Sequence, residues 1–152
     1  MPKTKLKSKS VSSCQQYAAL PIRFSPDGQV QVLLATSRGT GRWVIPKGWP
    51  AQNLAPSAAA AREAYEEAGL EGEIQDGPPI GRYSYNKQLN GRRRWLDVDV
   101  FLMRVSRQLA SWPEQAERET AWFTPDEAAN EVAEPELAAI FVALRNILRD
   151  AS

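Results

Sequence analysis

Residues 58–70 have the sequence AAAAREAYEEAGL, in which Glu63, Glu66 and Glu67 fall within five positions. At about 100° per residue, a helix over this stretch brings the three carboxylates into one arc of roughly a quarter-turn. The alanines and Tyr65 fall on the opposite side, so we expect that side to pack on a sheet while the glutamates point away from the contact. Like charges at i,i+4 cost only about 0.2–0.5 kcal/mol per pair. The cluster is therefore either a solvated acidic face or a site where a divalent cation turns repulsion into coordination.

The residues around this run predict a helix with strands on both sides of it. Ser57 is placed to cap the helix, and Gly69 to end it after Ala68 in the left-handed conformation. Hydrophobic alternation and turn residues predict strands at 15–24, 29–39, 42–46, 71–75, 81–88, 92–105 and 121–123, with turns at 25–28 and 90–91.

The C-terminal region predicts two more helices. Thr124, Pro125 and Glu127 follow the capping-box pattern with proline in the first turn. Pro135 opens a last amphipathic helix over residues 136–150. The order of elements predicts one mixed α/β or α+β domain.

The composition excludes several kinds of active site. The chain has 152 residues, a formal net charge of +1, no histidine and a single cysteine, Cys14. The lack of imidazole excludes Ser-His-Asp and Cys-His catalysis and histidine-bound zinc. One cysteine allows no internal disulfide and indicates a reducing compartment, so we expect a cytoplasmic protein. A metal site must use mainly oxygen ligands, which suit Mg²⁺ or Mn²⁺.

The N-terminal residues differ in composition from the rest of the chain. They begin MPKTKLKSKSVSS, which is basic and lacks the apolar stretch that a signal peptide needs. We expect residues 1–14 to form a flexible basic tail and residues 15–152 a single domain. No run approaches membrane-spanning length, so no membrane partner is expected.

The glutamate run is part of a longer pattern that starts at Gly48. Residues 48–70, GWPAQNLAPSAAAAREAYEEAGL, resemble the Nudix box of the Nudix hydrolases, G-x5-E-x7-R-E-U-x-E-E-x-G-U, where U is aliphatic. The positions in register are Gly48, Arg62, Glu63, Glu66, Glu67, Gly69 and Leu70, with Ala64 a small fit to the first aliphatic position. The resemblance extends through RWVIPKG before the box and AWFTPDEAA after it. It implies an α/β/α sandwich with a mixed sheet between helices.

One position departs from the box. Leu54 stands where the family pattern has its first glutamate. In the family that residue lies in the loop before the helix and supports the site, so its loss bears on metal geometry and rate. A damaged site is also how a non-catalytic Nudix-fold module that binds nucleotide or protein looks, and Leu54 keeps that alternative open.

The resemblance implies a Mg²⁺-dependent pyrophosphohydrolase, with Mn²⁺ as an alternative ion. By position in the motif, Glu63 and Glu67 resemble the principal metal ligands, and Glu66 resembles the catalytic base or a third ligand. Arg62 is expected to support the site by orienting a glutamate or a loop carbonyl.

A further acid from a later loop often assists in this family. Glu117 and Glu119, just before the strand at 121–123, are the candidates in this chain. An exposed position is the ordinary expectation for both of them.

Substrate contacts are expected from residues near the box. Residues 37–50, SRGTGRWVIPKGWP, resemble the diphosphoinositol polyphosphate phosphohydrolase branch, whose members also cleave diadenosine polyphosphates. The candidate substrate contacts are Arg38, Arg42, Lys47, Gly48 and Lys87. The charged ones could equally be exposed strand-end residues.

Two observations weigh between the substrates of that branch. The first strand starts with QQY, where the inositol enzymes usually carry basic residues, and the net charge is modest for a binder of so strong a polyanion. Diadenosine polyphosphates and diphosphoinositols therefore rank level as the expected small-molecule substrate. Trp49 is the candidate for stacking on a base, whereas Trp43 and Trp122 are expected in the core.

An RNA 5′-pyrophosphohydrolase is the remaining alternative. The lysines of the tail and the triplet at residues 92–94 would suit RNA phosphates. The sequence has no aromatic ladder for single-stranded bases, so a nucleic-acid partner ranks behind a small molecule. The chain is expected to be a monomer or a homodimer.

Overall fold

The computed structural model describes residues 14–151 as eight strands, four α-helices and one short 3-10 turn. The strands are β1 (Gln15–Phe24), β2 (Val30–Thr36), β3 (Trp43–Val44), β4 (Lys47–Gly48), β5 (Leu70–Ile74), β6 (Gly81–Leu89), β7 (Arg92–Gln108) and β8 (Thr120–Phe123). The helices are α1 (Pro56–Ala68), α2 (Pro125–Glu131), α3 (Pro135–Val142) and α4 (Leu144–Ala151), and the 3-10 turn covers Gln115–Glu117. The expected order of strands and helices is confirmed except that β4 lies outside every predicted strand and the last predicted helix is two helices. The tail expected at 1–14 lies almost wholly outside the described residues.

All eight strands form one mixed sheet, whose path is β3-β2-β1-β7-β5. Strand β1 pairs in parallel with β7, from Gln15 opposite Asp97 to Ile22 opposite Arg104. Every other pairing is antiparallel, and β6, β8 and β4 pair with β7, β2 and β1 respectively. The sheet is therefore mixed, as predicted.

Helices cover both faces of this sheet. Alternate residues of β1 point to opposite faces, so Ala18 and Leu20 pack in one cluster with Phe141 of α3. Ala19, between them, packs in the other cluster with Ala60 and Ala64 of α1. We call these the α3 face and the α1 face. The arrangement is an α/β/α sandwich, which confirms the expected fold class.

Helix α1 lies where the sequence predicts it, but its orientation and its N-terminus differ from the prediction. Ala55 is the N-cap and makes no side-chain cap bond, whereas Ser57 lies inside the helix with its hydroxyl 3.3 Å from Asp76 Oδ1. Glu67 is only 5% exposed, and Tyr65 lies at the surface. The prediction that all three glutamates point away from the contact is therefore wrong for Glu67. The packed arc of the helix is rotated toward its glutamate side.

The end of α1 and the start of α2 follow the prediction, while the last helix does not. Gly69 ends α1 with φ 68° and ψ 29°, and Thr124 forms the complete capping box with Glu127. The single helix predicted over 136–150 is divided into α3 and α4 at Ala143. Strand β2 also ends at Thr36, three residues earlier than predicted. None of the helices described within 14–151 combines the length and apolarity needed to cross a membrane.

Candidate active site

A cleft opens where β1 and β2 separate. The two strands pair only from Ile22 to Phe24, and beyond that point β4 takes the place beside β1, with Gly48 opposite Tyr17. The resulting cleft has a volume of about 430 Å³. Its lining residues are Gln16, Ser37, Arg38, Lys47, Gly48, Trp49, Glu63, Glu67, Tyr85, Lys87, Glu114 and Arg118.

Gly48 is required by its contact with α1. A Cβ atom at this position would come within 2.7 Å of Glu63 Oε1 and closer still to the rest of that carboxyl group. The absence of a side chain lets β4 lie directly against the carboxyl group of Glu63. The spacing between glycine and glutamate in the sequence pattern thus corresponds to a direct contact.

Glu63 and Glu67, one turn apart on α1, both line the cleft with their carboxyl groups close enough to influence each other. The pKa of Glu67 is raised to about 8, mainly because the group is buried. Arg118 opposes the shift, and the neighbouring Glu63 carboxyl group, which accepts the Glu67 proton, adds to it. Burial also raises the pKa of Glu63. Two carboxyl groups held together out of water bind either a proton or a cation between them.

Two cations lie beside this carboxyl pair. Lys47 points into the cleft, and burial lowers the pKa of its ammonium group to about 8 although Glu67 opposes the shift. Arg118 is 9% exposed and lies 3.8 Å from Glu67 Oε2, 2.8 Å from Glu114 Oε1 and 3.1 Å from the carbonyl of Thr36. Arg118 therefore connects α1 to the chain before β8 and to the end of β2.

The segment from β7 to the 3-10 turn holds the C-terminal end of α1. The last carbonyl groups of a helix lack partners within it. The carbonyl of Glu66 accepts from the backbone N–H of Glu114 at 3.0 Å, and that of Glu67 accepts from Trp112 Nε1 at 3.2 Å. The ring of Trp112 covers Gly69, where a Cβ atom would fall inside it. The segment thus fixes the helix that carries the carboxyl pair.

Among the acidic residues predicted for the site, Glu66 is placed apart from the other two. Glu66 Oε2 lies 3.1 Å from Arg62 Nε, and its side chain does not line the cleft. Within residues 14–151, no group of three or more acidic, cysteine or histidine side chains is arranged to hold a metal ion. The structure therefore brings together two of the three expected ligands.

The donor set fits a magnesium-type ion nonetheless. Mg²⁺ keeps several waters and is usually held by one or two carboxylates together with substrate phosphates. Glu63 and Glu67 supply two carboxyl groups, and Glu114 is a third acid that lines the cleft. The oxygen-only chemistry of this set and the raised pKa values of Glu63 and Glu67 suit a hard cation that replaces the protons.

The predicted substrate contacts divide between the cleft and other ion pairs. Lys47, Gly48 and Lys87 line the cleft, as does Arg38, which also pairs with Glu117 at 2.8 Å. Arg42 is outside the lining and lies 3.3 Å from the buried Glu134.

The acids named as candidates from the loop before β8, Glu117 and Glu119, do not line the cleft. Glu117 is bound to Arg38, and the backbone N–H of Glu119 donates to Thr36. Glu114 lines the cleft instead. Its i,i+4 spacing to Arg118 is the one signal in the sequence that could have identified both residues.

Gln16 and Tyr85 were also missed by the sequence analysis. Both belong to strands whose neighbouring residues form the core on the α3 face. A glutamine at an inward-facing position of an apolar strand is the signal that could have identified Gln16, since buried polar residues need a partner.

The tryptophans and Leu54 occupy distinct environments. Trp49 lines the cleft and is 41% exposed. Trp43 packs edge-on against Phe123 with ring centroids 5.2 Å apart, and Trp122 packs on the α1-face cluster. Both are partly buried at the edge of the core in which they were expected. Leu54 is 38% exposed and does not line the cleft.

Comparison with known proteins agrees with this geometry. The NUDIX domain model matches residues 15–144. Diphosphoinositol polyphosphate phosphohydrolase 3-alpha of Mus musculus is 31% identical over 113 residues, which cover 73% of this chain and 64% of that protein. Nudix hydrolase 13, mitochondrial, of Arabidopsis thaliana is 30% identical over 112 residues, which cover 67% of this chain and 53% of that protein. The chain thus spans less than two thirds of the length of these curated relatives.

A solved structure shares the fold. The Ap4A hydrolase of C. elegans, in a binary complex, superimposes with a TM-score of 0.67 over 90% of this chain and 98% of that chain, at 16% sequence identity. The match to the domain model over most of the chain, together with the mouse relative, establishes the family. The chain belongs to the Nudix hydrolase family.

Proposed function

We propose that this protein is a Mg²⁺-dependent pyrophosphohydrolase that cleaves a phosphoanhydride bond in a nucleoside polyphosphate, such as a diadenosine polyphosphate, or in a diphosphoinositol polyphosphate. The observation that carries the proposal is the carboxyl pair of Glu63 and Glu67, which faces a cleft lined by four cationic side chains. These are Arg38, Lys47, Lys87 and Arg118. A polyphosphate is the ligand class that combines several negative charges with a need for a divalent cation.

In this proposal the cationic residues of the cleft bind phosphate and the acidic residues hold the metal ion. Lys47 and Lys87 would bind phosphate oxygens, and Arg38 could do so after leaving Glu117. Glu63 and Glu67 would hold the ion, with Glu114 as a further acid within the cleft. A bound divalent cation neutralises phosphate charge and acidifies a water. Gly48 contributes by letting the carboxyl group of Glu63 lie against β4.

Glu66 is proposed as the base or as a third ligand, and Arg62 as its supporting partner. Either role requires the Glu66 side chain to turn toward the cleft, because it now pairs with Arg62 at 3.1 Å. The pair is partly exposed, so breaking it costs about 1 kcal/mol or less.

The names of the related proteins support both substrate classes. The mouse relative is named for diphosphoinositol polyphosphate hydrolysis, and the nematode structure for Ap4A hydrolysis. We also propose that Mn²⁺ can replace Mg²⁺, that the protein acts in the cytoplasm, and that it functions as a monomer or homodimer.

The test is product release with Mg²⁺ from diadenosine polyphosphates, nucleoside triphosphates, nucleotide sugars, a diphosphoinositol and 5′-triphosphorylated RNA. We expect the wild type to turn over either the diadenosine polyphosphates or the diphosphoinositol. Glu67→Gln should lower that rate by at least about 100-fold, because lost second-shell contacts alone cost about 10–100-fold at metal sites. Glu71→Gln is the matched control, since Glu71 is an exposed glutamate paired with Arg107.

Two outcomes would overturn the proposal. Tight binding without turnover under Mg²⁺ and Mn²⁺ alike would identify a non-catalytic binding module. Turnover confined to the triphosphorylated RNA, with affinity that falls steeply with salt, would identify an RNA 5′-pyrophosphohydrolase.

A further inference from the structure

Gln16 is a buried polar residue near the start of β1, two residues before the apolar stretch that begins at Ala18. It is 3% exposed and lines the cleft. Its side-chain oxygen accepts a hydrogen bond from the hydroxyl group of Tyr85 at 2.7 Å. A glutamine in this environment costs free energy unless its amide is used, so its contacts indicate what it does.

Tyr85 fixes the orientation of that amide. Burial, followed by the nearby charge of Glu134, raises the pKa of Tyr85 to about 12, so the hydroxyl group keeps its proton and remains a donor at neutral pH. The Gln16 oxygen is thereby occupied. Its amide nitrogen makes no hydrogen bond to any residue in the range 14–151. The two N–H donors are therefore available to a ligand.

An exposed aromatic residue follows the strand that pairs with this part of β1. Strand β4 pairs with β1 through Gly48 opposite Tyr17, so Trp49 follows the end of β4 on the side where Gln16 precedes Tyr17 in β1. Trp49 is 41% exposed and lines the same cleft. This end of the cleft thus offers a neutral donor and an accessible indole ring.

The donor and the carboxyl pair approach the cleft from opposite sides of the sheet. Gln16 lies two residues before Ala18 in β1 and so shares its face of the sheet, and Tyr85 itself packs in the α3-face cluster. Glu63 and Glu67 belong to α1, which covers the other face. A ligand that meets both must extend through the opening between β1 and β2, with chemically different ends.

We infer that Gln16, held by Tyr85, donates a hydrogen bond to a ring nitrogen or carbonyl of a nucleobase that packs on Trp49, while the polyphosphate extends toward Glu63 and Glu67. This inference rests on the proposed function and selects the nucleoside polyphosphates within it. It makes Gln16 a specificity-determining residue.

The chemistry of the subsite favours a base over a phosphorylated inositol. An inositol polyphosphate carries phosphates around its whole ring and needs cations on each side. Gln16 and Trp49 offer an uncharged donor and an exposed aromatic ring. The Lys47 ammonium group, which lies 5.1 Å from the Tyr85 ring centroid, is the cation beside them. A planar base with in-plane acceptors and a stacking face matches those groups, and the lysines of the cleft remain for the phosphates.

The test is equilibrium binding, measured by calorimetry without turnover, of ATP, inorganic tripolyphosphate and inositol hexakisphosphate. ATP and tripolyphosphate differ only by the nucleoside. We expect Gln16→Met and Tyr85→Phe each to lower the affinity for ATP by about tenfold, the effect of one lost hydrogen bond to a buried group. The affinity for tripolyphosphate should not change. The analogues 1-deaza-, 3-deaza- and 7-deaza-ATP each lack one ring nitrogen. The analogue that lacks the acceptor bound by Gln16 should bind wild type more weakly than ATP by a similar factor, and Gln16→Met should bind it as tightly as ATP.

Each variant has a matched control. Gln15→Met removes a neighbouring glutamine whose side-chain nitrogen donates to the backbone carbonyl of Gln16 and which is outside the cleft lining. Tyr83→Phe removes the neighbouring buried hydroxyl group on the same strand. Both controls should bind all three probes as wild type does.

The inferred base subsite and the proposed hydrolytic function can each be overturned without the other. Equal weakening of ATP and tripolyphosphate in Gln16→Met and Tyr85→Phe would overturn the inference, as would a loss confined to inositol hexakisphosphate. A nucleoside-dependent loss in a protein that hydrolyses none of the substrate panel would support the base subsite and overturn only the hydrolytic function.

Discussion

The two ends of the cleft are built in different ways. The carboxyl end takes Glu63 and Glu67 from one helix and sets Glu63 against Gly48, so its residues share one short stretch of sequence. The amide end joins Gln16 to Tyr85 across 69 positions and depends on the pairing of β1, β7 and β6. A motif can therefore locate the chemistry, whereas the selection of a ligand depends on long-range strand pairing.

Gly48→Ala is expected to have the largest effect, and to disturb the carboxyl end of the cleft while leaving the amide end intact. The new methyl group would meet the carboxyl end of a flexible side chain, so Glu63 moves and the fold is kept. A displacement of about 1 Å at a reacting group can cost about 100-fold in rate, and we expect a loss of that order in kcat/KM. ATP should remain preferred over tripolyphosphate, because Gln16 and Tyr85 are undisturbed.

Gly81→Ala is the control for that variant. A Cβ atom at Gly81 would lie 2.8 Å from Ile140 Cδ1, also a flexible side-chain end but outside the cleft. We expect its activity to match wild type. Equal rates for Gly48→Ala and wild type, with both folded by thermal unfolding, would show that the contact between Gly48 and Glu63 has no part in the reaction.

Arg118→Met is expected to have the next largest effect. It removes the guanidinium group that contacts Glu67, Glu114 and the Thr36 carbonyl, and thereby leaves buried acids without their counterion. We expect kcat/KM to fall by about 10–100-fold, the range for lost second-shell partners, and Mn²⁺ affinity to fall as well. Arg118→Lys should recover part of the loss because the charge is kept.

Arg107→Met is the control for Arg118→Met, because it removes an exposed arginine that pairs with Glu71 on the surface. It should change neither kcat/KM nor the Mn²⁺ affinity. The positioning role of Arg118 would be contradicted by an Arg118→Met protein whose metal affinity and rate stay within about twofold of wild type, the spread expected of a neutral surface change.

A smaller effect is expected in the pH dependence of stability. Burial raises the pKa of Glu67 from its ordinary 4.5 to about 8, so the folded state binds this proton more tightly than the unfolded chain. The resulting stabilisation is complete below pH 4.5 and is lost as pH rises through 8, at about 1.4 kcal/mol per pKa unit at most. Lys47, whose pKa is lowered to about 8, contributes above this window.

The measurement is chemical unfolding of the metal-free protein at pH 5 and pH 8. Glu67→Gln should flatten the decline because glutamine does not titrate, and Mg²⁺ should restore wild-type stability at pH 8 by binding the ionised pair. Glu71→Gln serves as control. A decline of the same size in Glu67→Gln would assign the pH dependence to other groups.

Local signals in the sequence were sufficient for the elements but not for their mutual packing. Helix α1, its end at Gly69 and the capping box at Thr124 follow from spacing and turn chemistry. The helical geometry of residues 58–70 predicted that Glu67 faces solvent, but the residue is buried. The packed arc of a helix is set by the elements around it and not by its own alanines. Nothing in the residues at Ala143 predicts the break between α3 and α4, which has neither glycine nor proline.

The site residues show the same division. Lys47 precedes the motif and Gly48 opens it, and both line the cleft. Arg42 pairs with Glu134, which is 92 positions away, so its absence from the cleft depends on a contact that no local pattern contains. Arg118 also belongs to the cleft only through tertiary contacts.

Leu54→Glu is expected to have the smallest effect and concerns the carboxyl end alone. It restores the acid found at this position in the family pattern, but Leu54 is 38% exposed and outside the cleft lining. A surface substitution of this kind changes free energies by about 0.5 kcal/mol or less, which corresponds to about twofold in kcat/KM. Rates and Mn²⁺ affinity measured beside Gln52→Glu, an exposed neighbour in the same loop, provide the comparison. A gain of tenfold or more in Leu54→Glu alone, well beyond the roughly twofold surface effect, would mean that the loop turns inward in the working enzyme and that the carboxyl end is incomplete without it.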